Sequence, residues 1–450
     1  MSVRTLAYIY FFICLGVGLA KFPDGFLAVA LSAVLCIAIH FALRRFKDHG
    51  DELVKLFLMA LIVRTLVSST IEVLGITSFF AVDWRLYDRI GFEVSQYWTA
   101  GITPSQEAMQ RVFSFRGTAW GICLLVGSVY SLVGRNLLAA QLVIATISSA
   151  TAPFVYLCTF EIFNNRRAAK MAGYFAAFTP SLVLWSSLVL KDGLIVFFLV
   201  VVMFAAGRLQ KNVDIKFVIA LIVALIGVMA LRNYIFYIVS VAVVGGFLIG
   251  QRTTVFAIVG RAAIIVLLGV TLGYLGILSN SQVELERMTS LESIAISRKD
   301  LSESAASGFG QEYDVSTFGG AIAVLPVGLA YLIFSPFPWQ LTSNLALSAF
   351  PETVLWWIVM IPMVIGIWYA CRHRLRRCIS ILMFTLMLTL GYAVLQGNVG
   401  TAYRQRAQIQ IFMFIFAAVG VTIVREKRED KKIIEQARIR EALRGRHVGI

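Results

Sequence analysis

The sequence predicts an all-α polytopic integral membrane protein with about 12 transmembrane helices. Of its 450 residues, 59% are apolar and 14% are charged, whereas soluble domains average about 45–50% and about 25%. The mean hydropathy is +0.82. Apolar runs recur at about the 20-residue length that crosses a hydrocarbon core. This composition excludes an ordinary soluble protein, a disordered chain and a fibrous repeat.

The spans follow from the positions of the apolar runs. They are predicted at residues 5–20, 26–43, 53–80, 136–162, 171–189, 193–208, 215–231, 234–250, 255–278, 351–370, 378–395 and 407–424. Two further stretches, 118–134 and 318–348, are ambiguous. We expect the first to lie against the outer membrane face. Pro336-Phe337-Pro338-Trp339 breaks the second, which suits a re-entrant hairpin or an interfacial turn.

The distribution of positive charge predicts the orientation. The chain carries 40 Lys and Arg against 25 Asp and Glu, a net charge of +15. The excess lies in short loops, as the positive-inside rule expects, so the sequence predicts no nucleic-acid partner. If the ambiguous stretches do not cross singly, every basic loop and both termini face the cytoplasm. These loops begin at Arg44, Arg166, Arg208, Arg252 and Arg372, and the basic tail begins at Arg425.

The opposite side then collects the remaining ionisable groups. It carries the mixed-charge segments 81–117, 279–317 and 396–406, together with two short turns at Lys191-Asp192 and Arg232-Asn233-Tyr234. The long Ser-rich segment 279–317 is expected to be mobile, either as a cover for a substrate or as a plain connector. The tail from Arg425 is expected to form a cytoplasmic amphipathic helix. Function is therefore predicted at the outer face.

Asp83 directly follows the third span. A carboxylate at an apolar boundary is partly desolvated, which raises its affinity for a proton and suits a general base. Trp84 and Tyr87 beside it are typical interfacial anchors. The alternative is a solvated loop acid between belt aromatics.

Cationic residues at the same face suit an anionic ligand. Arg404 and Arg406 flank Gln405 just outside the last predicted span, and a guanidinium matches phosphate oxygens. Lys191-Asp192 and Arg232 lie at turns between long spans, where charges are paired or functional. The alternatives are interfacial capping and generic headgroup anchoring.

Arg64 and Glu72 lie inside the third span about 80° apart around the helix, which favours partners on other helices. Glu72 is expected either to line a cavity or to form a buried ion pair. The four His and six Cys form no recognisable metal or disulfide set. We therefore predict no cofactor, although a divalent cation stays compatible with the sequence.

This order of segments resembles the GT-C superfamily of membrane glycosyltransferases, with family 39 and bacterial enzymes related to protein mannosyltransferases the most similar. The resemblance is one of layout over about residues 53–424. It rests on the span 53–80, on Asp83 with Tyr87, on 118–134, on 136–162 ending in Arg166-Arg167, and on 171–189 ending in Lys191-Asp192. The Pro-Phe-Pro-Trp turn and the Gly397–Arg406 segment resemble proteins of bacterial polysaccharide clusters.

Two features depart from the family's layout. Asp83-Trp84 replaces the paired acids often present in the first loop, which leaves the base assignment between Asp83 and Asp88 open. Two extra helices precede the core. The chain divides accordingly into 1–50 (extra helices), 51–278 (GT-C-like core with external loop 81–117), 279–350 (external loop and Pro-broken hairpin), 351–424 (C-terminal helices) and 425–450 (cytoplasmic basic tail).

The resemblance implies inverting transfer of a sugar from a polyprenyl-phosphate donor to a glycan, lipid or protein acceptor. The place implied is the outer (periplasmic) face of the bacterial cytoplasmic membrane, in surface polysaccharide or glycoconjugate biosynthesis. Asp83 or Asp88 would be the base. The implied ligands of the lipid phosphate are Lys191, Asp192, Arg232, Arg404 and Arg406. Those of the sugar or acceptor are Trp84, Tyr87 and Tyr403.

Two other functions fit the same layout. A polymerase or ligase of O-antigen or exopolysaccharide also joins lipid-linked glycans outside the membrane, and would depend more on Arg404 and Arg406 than on Asp83. A flippase or secondary transporter is the second alternative. Transporters often carry internal repeats and midplane charges, whereas this sequence has no obvious repeat and its charges collect at one face.

Overall fold

The computed structural model describes residues 1–46, 48–114, 119–249, 290–303, 307–341 and 343–447. Over these ranges the protein is all-α, with no strand. The helices are α1 Val3–Ala20, α2 Asp24–Arg44, α3 Gly50–Leu74, α4 Thr77–Phe80, α5 Trp84–Ala100, α6 Gln106–Ala108, α7 Trp120–Val133, α8 Leu137–Ser149, α9 Thr151–Phe163, α10 Arg166–Phe178, α11 Pro180–Ser186, α12 Asp192–Leu209, α13 Ile215–Leu231, α14 Asn233–Ile249, α15 Leu291–Glu303, α16 Phe318–Phe334, α17 Asn344–His373, α18 Leu375–Leu395 and α19 Val399–His447. A π-helical turn, Met109–Phe113, and a 3-10 turn, Pro338–Gln340, complete the described elements.

Eight candidate membrane spans lie within these ranges, with α8 and α9 counted as one. Four apolar helices are shorter, namely α7, α13, α14 and α16. The chain is thus a multi-pass membrane protein. The predicted span 53–80 ends earlier than expected, at Leu74, because Gly75 adopts a left-handed conformation that terminates α3. The predicted span 255–278 lies outside the described residues.

The long helices give the bundle two chemically different ends. The basic end contains the start of α3 and the ends of α9 and α12. Arg208 and Lys211 pair with Glu161 there. At the other end, which we call the site end, α3 ends and α12 and α19 begin. Because α1 and α2 form a hairpin whose turn places Lys21 near Glu72, the N-terminal residues and the C-terminal tail lie towards the basic end.

The predicted span 171–189 is two helices rather than one, because Pro180 lacks the N–H that would bond the carbonyl of Ala176. Arg64, buried in α3, donates to the carbonyls of Ala176 and Ala177 at 3.2 and 3.1 Å. On the other side of the break, Glu352 of α17 accepts from the Ser181 backbone N–H at 2.6 Å. A cation therefore faces the end of α10 and an anion the start of α11, as the helix dipoles favour.

Helices α5 and α7 lie along the site end. Gly91 of α5 and Gly127 of α7 let the two helices approach closely, since a Cβ at either would lie 2.5–2.7 Å from a Val side chain of the partner helix. The start of α7 contacts the end of α13 at Gly121 and Ala230, and α7 leads directly into the start of α8. Both ends of α7 are thus at the same end of the bundle.

The described parts of the 279–317 segment are packed rather than free. Arg298 of α15 is buried and donates to the carbonyls of Val394 and Gln396, at the end of α18. Gly308 forms an isolated bridge with Asn398. These contacts hold part of the segment against the end of α18. Its mobility stays a prediction, and the segment's remaining residues lie outside the described ranges.

Helix α19 begins at Val399 and continues to His447 without interruption. Arg404 and Arg406 are therefore in its first two turns, rather than in a turn before the span. The tail is helical, as predicted, and the same helix continues into it without a break. Its side of the bundle is fixed by an ion pair between Arg167 and Glu429 at 2.7 Å.

Candidate active site

Five predicted site residues meet at the site end. Three helix termini bring them together, since Asp83 precedes α5, Lys191 and Asp192 begin α12, and Arg232 separates α13 from α14. Arg404 completes the group from the second turn of α19. We call these five residues the Asp192 cluster: Asp83, Lys191, Asp192, Arg232 and Arg404.

Asp192 is the centre of the cluster and is only 1% exposed. Its Oδ2 accepts from Nε and Nη2 of Arg404 at 2.7 and 2.5 Å, and its Oδ1 accepts from Nη2 of Arg232 at 3.3 Å. A buried carboxylate is stable only when it is paired and hydrogen-bonded. Asp192 therefore holds both guanidinium groups in place, which differs from the lipid-phosphate contact implied for it.

A close approach of helices places Asp192 where it is. Gly193, the next residue, packs against Ser186 and Ser148, and a Cβ there would lie 2.6 Å from the Ser186 Cβ and 2.8 Å from the Ser148 Oγ. Any larger side chain would push the first turn of α12 away. The absence of a side chain at Gly193 thus sets the depth of Asp192.

Asp83 lies at the exposed edge of the cluster. Its Oδ2 accepts from Nη1 of Arg404 at 2.9 Å, and its side chain is 50% exposed. The desolvation expected from its position at an apolar boundary is therefore not present. Its Oδ1 has no hydrogen-bond donor among the residues that the structure describes, so it can accept a proton or hydrogen bond from a bound molecule.

Lys191 is a partly buried cation with no ion pair to a carboxylate in the described part of the chain. Burial lowers the pKa of its amine to about 8, and the neighbouring Arg232 and Arg404 act in the same direction. With Lys191 protonated, three cations face two carboxylates, so the cluster has a net charge of +1. An anion entering here would meet an excess of positive charge.

Tyrosines line the cluster on two sides. Tyr87 is buried, and its pKa is raised by burial and by the carboxylates of Asp83 and Asp192. It is therefore a neutral hydrogen-bond donor. On the other side, Tyr392 and Tyr234 accept from Nη1 of Arg232 at 3.4 and 3.2 Å, and Tyr392 donates to Gln408 at 2.7 Å.

No sequence pattern predicted a site role for Tyr392, Gln408 or Trp185. Trp185 is buried with its ring centroid 5.7 Å from the Arg404 guanidinium carbon, a cation–π distance. Gln408 lies one helical turn after Arg404, and this spacing could have indicated it. Tyr392 and Trp185 stand within apolar runs, and no local pattern separates them from core residues.

Asp88 is not part of the cluster. It is buried beneath α7, where it accepts from the Tyr130 hydroxyl at 2.6 Å and from Nη2 of Arg135 at 2.5 Å. Trp84 is on the same face of α5 as Asp88, four residues earlier, and its Nε1 donates to Ser78 at 3.3 Å. Of the two alternative bases, only Asp83 contacts an arginine of the Asp192 cluster.

Arg406 and Tyr403 point away from the cluster as well. Arg406 is buried and donates to the carbonyls of Ile333 and Ser335 at 3.0 and 2.8 Å, at the Pro-broken turn. Tyr403 donates to Glu352 at 2.9 Å. Positions two apart on a helix differ by about 200° in rotation, so Arg404 and Arg406 lie on nearly opposite faces of α19 and cannot face the same ligand.

In the described ranges, no group of three or more His, Cys, Asp or Glu side chains is arranged to hold a metal ion. The two carboxylates of the cluster, those of Asp83 and Asp192, are bridged by Arg404.

Comparison with known proteins gives a distant similarity to a solved structure. No protein-family model and no curated protein matches the sequence. Among solved structures, the chain is similar to the archaeal oligosaccharyltransferase AglB from Archaeoglobus fulgidus, determined in complex with an inhibitory peptide and a dolichol-phosphate. The TM-score is 0.43 at 12% identity, over 85% of this chain and 52% of that one. The chain therefore spans about half the length of that protein.

Proposed function

We propose that the protein is a GT-C-type membrane glycosyltransferase that takes a sugar from a polyprenyl-phosphate donor at the site end of the bundle. The observation that carries this proposal is the Asp192 cluster. It combines an anion-binding group of Lys191, Arg232 and Arg404 with a half-exposed carboxylate, Asp83, whose second oxygen is available. The transfer reaction needs both parts within one site.

The cationic part suits the leaving group. When the bond between the anomeric carbon and the phosphate oxygen breaks, that oxygen keeps the electron pair and negative charge grows on the lipid phosphate. Preorganised cations in a partly buried site stabilise such charge without reorganisation. Asp192 keeps two guanidinium groups in place before the donor binds, so their orientation is already set.

The acidic part suits the acceptor. A hydroxyl of the acceptor attacks the anomeric carbon from the face opposite the phosphate and inverts it, while its proton passes to Oδ1 of Asp83. Arg404 links the two parts because it contacts both Asp83 and Asp192. Proton acceptance and phosphate stabilisation are then coupled through one guanidinium.

The reaction is proposed to take place on the outer face of a bacterial cytoplasmic membrane, in surface polysaccharide or glycoconjugate biosynthesis. The separation of charge supports this orientation. The loops at the basic end carry the Lys and Arg clusters, and the positive-inside rule assigns that end to the cytoplasm. The site end and the Asp192 cluster would then face outward.

Mass spectrometry of lipid-linked glycans tests the proposal in a strain deleted for this gene. The strain is complemented with wild type, with Asp83→Asn, or with Asp430→Asn as a matched control in the exposed tail. We expect a single-sugar polyprenyl phosphate to accumulate and to be consumed again with wild type and Asp430→Asn, but not with Asp83→Asn.

Other outcomes would favour the other functions. Accumulation of pyrophosphate-linked repeat units would indicate a polymerase or ligase. An unchanged lipid pool, with transport of lipid-linked glycan by the purified protein in liposomes, would indicate a flippase. Full transferase activity of folded Asp83→Asn protein would overturn the assignment of Asp83 as the base.

A further inference from the structure

A polar cavity lies beside the Asp192 cluster, on the neighbouring face of α5. Its volume is about 310 Å³, near the lower end of small-molecule sites, which span about 300–1,000 Å³. It is lined by the turn between α1 and α2, the end of α3, the start of α5 and the link from α7 to α8. The polar and aromatic lining residues are Lys21, Asp24, Glu72, Trp84, Asp88, Arg135 and Asn136.

The first turn of α5 separates the cavity from the cluster. Asp83 and Tyr87 are one helical turn apart and face the cluster, whereas Trp84 and Asp88 are one turn apart and line the cavity. The two faces are about 100° apart on the helix. An extended ligand bound in the cavity would therefore reach Asp83 by crossing a single edge of α5.

The cavity offers two carboxylates as hydrogen-bond acceptors, those of Asp24 and Glu72. Glu72 has only a long ion pair with Lys21, at 3.9 Å, and neither its carboxylate nor that of Asp24 receives a hydrogen bond from any residue that the structure describes. Each of the two cations has a carboxylate beside it, Lys21 at 3.9 Å from Glu72 and Arg135 at 2.5 Å from Asp88. With three carboxylates and two cations, the cavity is net negative and suits a ligand that donates hydrogen bonds.

We propose that this cavity is a carbohydrate subsite for the acceptor, and that it takes one neutral sugar ring. Sugar hydroxyls would donate to Asp24 and Glu72, and the indole of Trp84 would cover an apolar face of the ring, the combination of aromatic and convergent polar groups found in ligand sites. The assignment to an acceptor rests on the proposed transferase function. The acceptor would then be a glycan with its reacting hydroxyl next to Asp83 and a neighbouring residue in the cavity.

The charge of the cavity sets its specificity. A hexuronic acid or a phosphate would meet the net negative charge of the cavity, which repels it. The same argument disfavours a phospholipid headgroup, whose phosphate would compete with Glu72 for Lys21 and with Asp88 for Arg135. A neutral hexose or N-acetylhexosamine carries no such cost.

Saturation-transfer NMR on the full-length protein in detergent micelles tests binding without transfer. The probes are free hexoses, N-acetylhexosamines and hexuronic acids, with protein-free micelles as the blank. We expect at least one neutral sugar to give a signal that Trp84→Ala and Glu72→Gln abolish. Trp98→Ala, a half-exposed tryptophan elsewhere on α5, is expected to keep it.

Three results would overturn the subsite. They are no signal from any neutral sugar, a stronger signal from a hexuronic acid, or loss of the signal when phosphatidylethanolamine is added to the micelles. A Trp84→Phe variant guards against misfolding, because it keeps an aromatic face and is expected to retain part of the signal. The test is independent of the transferase proposal, since an unchanged pool of lipid-linked glycans in the deletion strain would reject that proposal and leave sugar binding in the cavity unchanged.

Discussion

At the residue scale, two aspartates that both lie between predicted spans have different roles in the structure. Asp192 is buried and receives three hydrogen bonds from two arginines, whereas Asp83 is half-exposed and receives one. Burial makes the first a structural partner of the arginines. Exposure leaves the second able to meet a substrate.

This difference predicts opposite effects on stability. Asp192→Asn removes the buried counter-charge of Arg404 and Arg232, and breaking a buried pair in this way costs about 3–5 kcal/mol. Asp83→Asn removes one exposed ion pair, which costs at most about 1 kcal/mol. Thermal unfolding in detergent should therefore show a large drop for Asp192→Asn and almost none for Asp83→Asn. Equal drops in the two variants would contradict these roles.

The lowered pKa of Lys191 predicts a pH dependence of donor binding. Below a pH of about 8 the amine is protonated and the cluster carries a net positive charge. Above it, the cationic fraction falls about tenfold per pH unit. If Lys191 binds the lipid phosphate, the KM for the donor should rise as the pH increases through 8.

Lys191→Arg provides the control for that profile. Arginine stays protonated throughout this range, so the variant should lose the rise in KM above pH 8 even if its affinity at pH 7 is lower. A pH profile identical to that of wild type would show that another group titrates.

At the element scale, the site depends on where helices end and on how closely their ends approach. Arg64 and Glu352 stabilise the break between α10 and α11, and this break brings Ser186 against Gly193. The start of α12, and Asp192 with it, is thereby held deep in the bundle. Substitutions at the contacts between helices should therefore disturb the cluster even where the substituted residue does not belong to it.

Gly193→Ala tests this dependence. Its new Cβ would overlap the Ser186 Cβ at 2.6 Å, and overpacking of this type costs about 1–3 kcal/mol. We expect a lower unfolding temperature and strongly reduced transferase activity, because Asp192 moves with the first turn of α12. Gly207→Ala is the matched control in the same helix, since a Cβ there meets nothing within 4 Å. Equal activity of the two variants would reject the packing argument.

At the scale of the whole molecule, the two ends of the bundle differ in chemistry, and this difference predicts how the protein lies in its membrane. Cys371, a native exposed thiol of α17, marks the basic end. Ile102, an exposed residue following α5, marks the site end. The two positions should react differently with a reagent that cannot cross a membrane.

The measurement is labelling by a membrane-impermeant maleimide in right-side-out vesicles. Ile102→Cys, made with Cys371 replaced by Ser, should be labelled in intact vesicles. The protein with native Cys371 should be labelled at that residue only after the vesicles are permeabilised. The reverse pattern would place the Asp192 cluster in the cytoplasm and exclude an outward-facing transferase.

The amino-acid sequence alone predicts the class of the protein and the positions of its charged residues. Apolar runs of spanning length can fold stably only as helices in a membrane, because every backbone group must be bonded within the segment. The same local reasoning indicated Asp83, Lys191, Asp192, Arg232 and Arg404 as charges between spans. It did not predict that one helix ends and another begins at Pro180, although this proline is visible in the sequence.

Which of these charged residues share a site depends on how the helices pack in the folded protein. Arg404 and Arg406 are two residues apart yet face different helices, and Asp83 and Asp88 lie on different faces of α5. Those outcomes depend on the rotation of each helix about its axis, which packing against distant segments sets. Contacts such as that between Asp192 and Arg404, 212 residues apart, therefore appear only when the helices are assembled.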